Sequence, residues 1–447
     1  MKRFWIVLLS LGLIVAFGTT VFAADAKFNG EFKMQGWYNK NASLIDQDST
    51  VGSSYRGSSA FYTQRLRMGI DIEVAKGLKL GTRFDALERK WMAARKAVLP
   101  NNGIATTDNE QENIGFEIAY VQFFLPFGII TAGNVPASQF GTPFNDYVAY
   151  DNPIIAYTFM KGPWVISASL KKSQDGVAYP GTAIGGGTDF DSDSYTMQVQ
   201  NRWKTGNAGA QLTYVRSRTS STAYTTDIPF SVLFVRQKLG KLFIEDEALI
   251  ILGFQKYLDM VNPAATDVKN GLSISNYFNI NVDLSPAKIG FMFVYSPGDD
   301  PTTLDKREGG YHQTLGNDKT FNPALILFNN DYVTWMGGGP AGNAVGLTTH
   351  FDNVWFYQIY GDFNITPKLN LGTSFTYAYA DEKPSAAYID KDYGYELDVT
   401  MKYKIFANLE YMIGAAYLWT GDYFKGTNSN VKLFNNYLIT HKLTLTF

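Results

Sequence analysis

The sequence predicts an all-β protein: a transmembrane, antiparallel, up-and-down β-barrel of about 18 strands, with 16 as the alternative count. Three observations carry this. Polar and apolar residues alternate with period two over many stretches long enough to cross a tilted bilayer path. Aromatic residues make up 15% of the chain, as 28 Tyr, 32 Phe and 8 Trp. Beyond residue 23 no stretch is long and apolar enough for a membrane-spanning helix.

The N-terminus reads as a secretory signal peptide. Lys2 and Arg3 form a positive start, an apolar run extends from Phe4 to about Phe17, and Val21-Phe22-Ala23 fits a small-x-small cleavage site. The apolar run is short for an anchor helix. Residues 1–23 are therefore set apart from the fold, and residues 24–447 form a single barrel domain.

The strands follow in order, at about 27–37, 61–75, 78–91, 112–124, 128–135, 153–160, 163–171, 193–204, 207–219, 229–239, 241–254, 271–284, 287–296, 351–363, 368–380, 392–405, 408–420 and 433–447. In the first, Phe28, Phe32 and Met34 alternate with Asn29, Glu31, Lys33 and Gln35. In the second, Leu66, Met68, Ile70 and Ile72 alternate with Arg65, Arg67, Asp71 and Glu73. In the sixteenth, Tyr393, Tyr395, Leu397, Val399 and Met401 share the apolar face, opposite Glu396, Asp398 and Lys402. Alternation is weakest at 128–135, 153–160 and 229–254. Tight turns such as Lys76-Gly77, Lys161-Gly162 and Thr205-Gly206 alternate with long Gly-, Asn-, Asp- and Ser-rich loops. Short periplasmic turns and long outside loops characterise outer-membrane barrels, and an even strand number puts both ends on the periplasmic side. A soluble β-sandwich also alternates, but the strands here follow one another as hairpins with no Greek-key crossover.

The last strand adds a separate signal. Tyr437, Ile439, Leu443, Leu445 and the terminal Phe447 share one face. This resembles the C-terminal strand that the outer-membrane assembly machinery recognises, which makes Phe447 the expected assembly signal.

The chain resembles a Gram-negative outer-membrane porin. From Asp352 to Phe447 it is also similar to porins of deltaproteobacteria and, more distantly, to alginate-export barrels. Trp355 to Phe363, Lys368 to Phe375, and Tyr393 through Tyr417 to Tyr423 carry that narrower likeness. Alginate channels have arginine-rich pores. The inward face here is mixed in sign, so that substrate is not carried over.

Composition narrows the function. The chain has 39 basic and 41 acidic residues, and no basic run suggests nucleic acid. It has no cysteine, so a secreted chain of this size must be held by backbone pairing and packing. With three histidines and no zinc, nucleophile-elbow or phosphate-loop motif, no catalytic residue, cofactor or metal site is expected. Asp299, Asp300 and Asp305 invite a calcium guess, but their spacing matches no EF-hand loop.

Alternation assigns the pore lining to Arg65, Arg67, Asp71, Glu73, Lys79, Arg83, Asp85, Gln198, Gln200, Arg202, Lys204, Glu396, Asp398 and Lys402. The arginines are expected to face acids elsewhere on the wall, across a transverse field. The loop at 136–153 follows a short fifth strand and is the third outside loop. In general porins that loop folds inward. Here Gln139, Asn145, Asp146, Tyr147 and Asp151 would form the constriction. The longest loop, about 297–350, contains the apolar run Ala324–Phe328, which should pack on the barrel or dip into the lumen.

The expected function is passive diffusion of ions and small hydrophilic solutes. The partners are outer-membrane lipid and the assembly machinery; the oligomer stays open between a homotrimer, as in many general porins, and a monomer, as in other channels of this class. Two alternatives differ in class: a sheath holding a partner such as a cytochrome for extracellular electron transfer, and an outer-membrane hydrolase. An occupied sheath would conduct little, and a hydrolase would cleave lipid or ester.

Overall fold

The computed structural model describes residues 25–42, 44, 58–91, 114–136, 140–145, 153–174, 192–217, 224–257, 268–303, 305–309, 321–336, 347 and 350–447. The expected signal peptide lies outside them.

Eighteen antiparallel strands form the wall. They are β1 (Asp25–Lys40), β2 (Ser58–Ala75), β3 (Leu78–Lys90), β4 (Ile114–Leu125), β5 (Gly128–Asn134), β6 (Pro153–Lys161), β7 (Trp164–Gln174), β8 (Ser192–Trp203), β9 (Gly206–Ser217), β10 (Tyr224–Leu239), β11 (Leu242–Tyr257), β12 (Val268–Asp283), β13 (Ala287–Ser296), β14 (Val354–Thr366), β15 (Leu369–Tyr379), β16 (Asp392–Phe406), β17 (Leu409–Thr420) and β18 (Asn436–Thr446). Each pairs with its neighbours in sequence, and β1 pairs with β18 to close the ring. Closure removes the sheet edges, so every strand finds ladder partners on both sides. All eighteen expected strands are present, including the four with blurred alternation.

Closure runs to the last residue. Phe447 exchanges both backbone bonds with Gly30, at 2.7 and 3.0 Å. Its ring covers Gly30 so closely that a Cβ on that glycine would lie 2.6 Å from it. The terminal aromatic thus sits on the outer face with Leu445, against the first strand.

The register fixes the two faces. In β16, Tyr395, Leu397, Val399 and Met401 are exposed on the outer wall, while Glu396 and Asp398 are buried on the inner side. Around the ring, Ile155, Leu170, Met197, Leu212, Leu233, Ile274, Phe291, Ile359, Phe375 and Ile439 are likewise large, apolar and exposed. A protein in water would not expose such a band; hydrocarbon around it removes the cost. Tyr393 departs from the expected outer face. The register slips between Ala378 and Tyr379, next to Gly394 with φ of 111°, and Tyr393 turns inward to 3% exposure.

The core lies inside the barrel, where two outside loops enter. Residues 321–336 of the long loop bury Phe321, Ala324, Ile326, Leu327, Phe328 and Tyr332 against Trp37, Tyr277, Val294, Phe356, Leu418 and Leu438 of the inner wall. A short helix of seven residues, α1 (Asn330–Met336), starts there. The Asn329 side chain accepts the N–H of Tyr332 at 2.8 Å and donates to the carbonyl of Ala324 at 2.7 Å, capping the helix and closing the turn before it. Burial raises the Tyr332 hydroxyl pKa.

Candidate functional site

Strands β2 to β4 supply a charged inner wall. Arg67 grips Asp85 with two bonds of 2.7 Å and reaches Glu117 at 3.0 Å; Arg83 meets the same Glu117 oxygen at 3.0 Å. Arg65 bonds Glu31 on β1 at 2.8 Å and lies 3.7 Å from Glu88. Near the periplasmic end, Lys79 pairs with Asp71 at 3.0 Å. That end opens into a recess of about 740 Å³ shared by Asp25, Lys27, Asp71, Glu73 and Lys79.

The acids therefore do not face the arginines across the lumen. They stand beside them on the same and adjoining strands, because antiparallel register brings Arg67 opposite Asp85 and Glu31. The expected transverse field becomes a local, largely self-compensated network. Asp85, Glu88 and Glu117 can bring oxygens within 4.8 Å of one another, the spacing of a cation site. Three guanidiniums already share them, so they form an ion-pair network.

Strands β7 to β9 carry an uncharged ladder. The Ser167 hydroxyl donates to Gln198 at 2.9 Å, Gln198 donates to Gln211 at 2.8 Å, and Gln211 donates to Thr213 at 3.1 Å. Further round, Arg236 donates to Glu245 at 3.0 Å, and Glu245 also accepts from Tyr277 at 2.6 Å and Asn279 at 3.0 Å.

Residues 140–145, of the 136–153 loop, lie against the inner wall. Phe140 lies edge-on to Phe234, 5.1 Å between centroids, in a cluster with Val232, Leu249 and Ile251 on the inner faces of β10 and β11. Phe144 stacks on Tyr277 at 5.7 Å and meets Phe321 of the long loop edge-on at 5.9 Å. The Thr142 N–H donates to the buried Glu247 carboxylate at 2.6 Å.

Of the expected pore residues, Arg65, Arg67, Asp71, Lys79, Arg83, Asp85, Gln198, Gln200 and Arg202 lie on strands with inward parity. Glu73 lies near the periplasmic end of β2, exposed. Lys204 sits in the turn after β8 rather than on its wall. Glu396 and Asp398 point inward but are closed off, 0% and 4% exposed. Above them, Leu325, Ile326 and Leu327 of the long loop donate backbone N–H groups to Glu396 at 3.0, 2.7 and 2.7 Å. Lys402, four residues beyond Asp398 on the same face, is exposed. Asn145 ends the short turn Pro143–Asn145; Gln139, Asp146, Tyr147 and Asp151 lie outside the described residues. Asp299 and Asp300 are occupied by their own loop. Asp300 accepts the N–H and hydroxyl of Thr302, which lowers its pKa, and Asp299 accepts the N–H of Glu308.

Sequence reasoning missed Glu117. The register shifts between Arg83 and Phe84, which makes Glu117 the extra residue of a bulge and turns Ile118 and Tyr120 inward after it. It also missed Glu31, Glu88 and Glu247. Plain alternation puts Glu31 and Glu247 on the inner face, but it does not say which residues they meet.

No family model matches the chain, and no curated protein does. Solved structures do. The Pseudomonas aeruginosa protein OpdK, with vanillate, aligns at a TM-score of 0.52 and 11% identity over 94% of this chain and 99% of that one. P. aeruginosa OccK2 (OpdF), in complex with glucuronate, gives 0.52 and 11% over 95% and 97%. P. aeruginosa OccK11 (OpdR) gives 0.51 and 12% over 94% and 96%. These neighbours are outer-membrane porins. At such identity the likeness is one of fold: a closed barrel matched almost end to end.

Proposed function

We propose that the chain is an outer-membrane porin through which ions and small hydrophilic solutes diffuse. One observation supports this above the others: the lumen is asymmetric. Its β10–β18 side is packed by residues of the chain's own loops, while the β2–β9 side keeps half-exposed arginines, carboxylates, amides and hydroxyls. Such a lining replaces part of the hydration of a passing solute without demanding a single ligand. The apolar outer band supports an outer-membrane location, after cleavage of residues 1–23 and assembly guided by Phe447. A homotrimer is consistent with the class but is a proposal only.

Two neighbours hold small carboxylates, so carboxylates belong in the solute panel. Lys33, Lys402 and Lys442 face the lumen on β1, β16 and β18, with Asp331 pairing Lys33 at 3.1 Å. They would favour anions below the packed loops. The sheath reading has no observation in its favour, since loop residues of the chain itself occupy part of the lumen.

The test is conductance in planar bilayers, with reversal potentials in salt gradients and vesicle swelling in sugars and carboxylates. Discrete channels with a size cut-off support the reading. Silent, correctly folded barrels overturn it.

A further inference from the structure

Two inward carboxylates have an unusual employment. Asp71, Asp85, Glu117 and Glu245 each pair with an arginine or lysine. Glu247 and Glu396, both fully buried, have no such ion pair among the described residues; Glu247 instead accepts one backbone N–H, from Thr142, and Glu396 accepts three, the first of which also lies 3.3 Å from the adjacent Asp398 carboxylate. Burying a carboxylate without a cation is costly unless strong donors meet it. N–H groups aimed at a buried carboxyl oxygen satisfy donor and acceptor together, and removing either leaves the other buried and unmet.

The loops are shaped to these acceptors. Gly141 has a φ of 99°, and a Cβ there would run into the Glu247 carboxylate. Phe140 and Phe144 grip the wall on either side of Thr142. At Glu396, three successive N–H groups converge on two oxygens, and Phe328 just beyond holds φ at 53°. The loops then touch each other: Phe144 lies edge-on beneath Phe321 and Phe351, at 5.9 and 6.3 Å.

We propose that Glu247 and Glu396 are positioning residues that latch the two loops into the lumen, and that Phe144 interlocks the loops so that the neck loosens as one unit. This rests on the channel reading above. It extends that reading, because two separately anchored loops would respond to mutation independently.

The chain has no cysteine, so single cysteines report each loop cleanly. Asn145→Cys and Leu325→Cys are labelled with a water-soluble thiol reagent in the full protein refolded into vesicles. Each is combined with Glu247→Leu or Glu396→Leu, and with the Gln variants. Heat-modifiable migration confirms a folded barrel. Losing one latch should speed labelling about tenfold or more at its own loop. Through the interlock, Glu396→Leu should also speed labelling at position 145, and Phe144→Ala should abolish that cross-effect. The Gln variant should retain most protection at Glu247, where one N–H is held, and less at Glu396, where three are. Faster labelling only at the loop whose latch was changed overturns the interlock. No change at either position in folded Leu variants overturns the latch. If a Leu variant does not fold, the Ala variant at the same position decides by the same readings. Labelling does not depend on conduction, so a barrel that obeys these rules yet stays silent in bilayers refutes the channel reading alone.

Discussion

Val399 and Thr400 are adjacent in β16 and face opposite media, which makes them a sharp test of register. Val399 is central in a strand of 15 residues, 42% exposed on the outer wall, with Thr373 and Ala415 beside it. An arginine there must put its guanidinium into hydrocarbon, at a cost of about 2–4 kcal/mol near the bilayer midplane. That lowers the folding equilibrium constant by a factor of about 30 to 900. Thr400→Arg places the same group on the half-exposed inner face, at a cost below about 1 kcal/mol. Glu396→Leu is different again. It removes the acceptor of the buried Ile326 and Leu327 N–H groups, each worth about 1–3 kcal/mol if left unmet, while the Leu325 N–H keeps Asp398 at 3.3 Å; the loop escapes most of that cost by withdrawing, so its position should change more than the stability of the barrel. Urea unfolding in vesicles, followed by tryptophan fluorescence, measures the first two. Cysteines at 397 and 399 should label slowly with a water-soluble reagent, and one at 402 quickly. Cysteines at 396 and 398 should label slowly too, because the loop covers them. Equal destabilisation by arginine at 399 and 400, or labelling at 397 as fast as at 402, would refute the register.

Deleting Phe447 should sharply lower the amount of folded protein in the outer membrane without changing the conductance of the barrels that do assemble, read by fractionation and single-channel recording; Gly30→Val, which collides with the same ring, should do so more mildly. Removing residues 139–150 should raise single-channel conductance and admit larger sugars while leaving insertion intact; an unchanged cut-off would move the neck to the long loop. Arg67→Ala strips the bidentate partner from Asp85, only 3% exposed, and should cost up to about 3–5 kcal/mol in urea unfolding. It should also shift reversal potentials toward cations.

The barrel was legible because hydrocarbon outside and water inside impose opposite demands on successive residues. That constraint writes Leu397, Val399 and Met401 against Glu396, Asp398 and Lys402 for anyone to read. It fails where the backbone inserts a residue. At Glu117 and at Tyr393 the parity changes within the strand, and nothing in the side-chain pattern marks the bulge beforehand, apart from Gly394 beside the second. It fails more deeply for what fills the lumen, since parity gives the direction of Glu396 but not that Leu325 to Leu327 will close over it.

One part of that hidden information was nevertheless present as a defect in the pattern. Alternation is blurred between 229 and 254 because Val232, Phe234, Leu249 and Ile251 are apolar on the inner face, where polar residues were expected. A water-filled lumen would penalise those four side chains by exposing them. They are instead among the most buried residues of the chain, because Phe140 covers them. The inference runs backwards from there. Where an outer-membrane strand is apolar on both faces, something must shield its inner face, and the nearest candidates are loops that carry aromatics of their own. The 136–153 loop, with Phe140 and Phe144, has such a composition. Two features read separately, a weak strand pattern and an aromatic-rich loop, are two halves of one contact. Pairing them places the loop on β10 and β11 from the sequence alone, and with it Glu247, the charged residue two positions before Leu249 on that inner face.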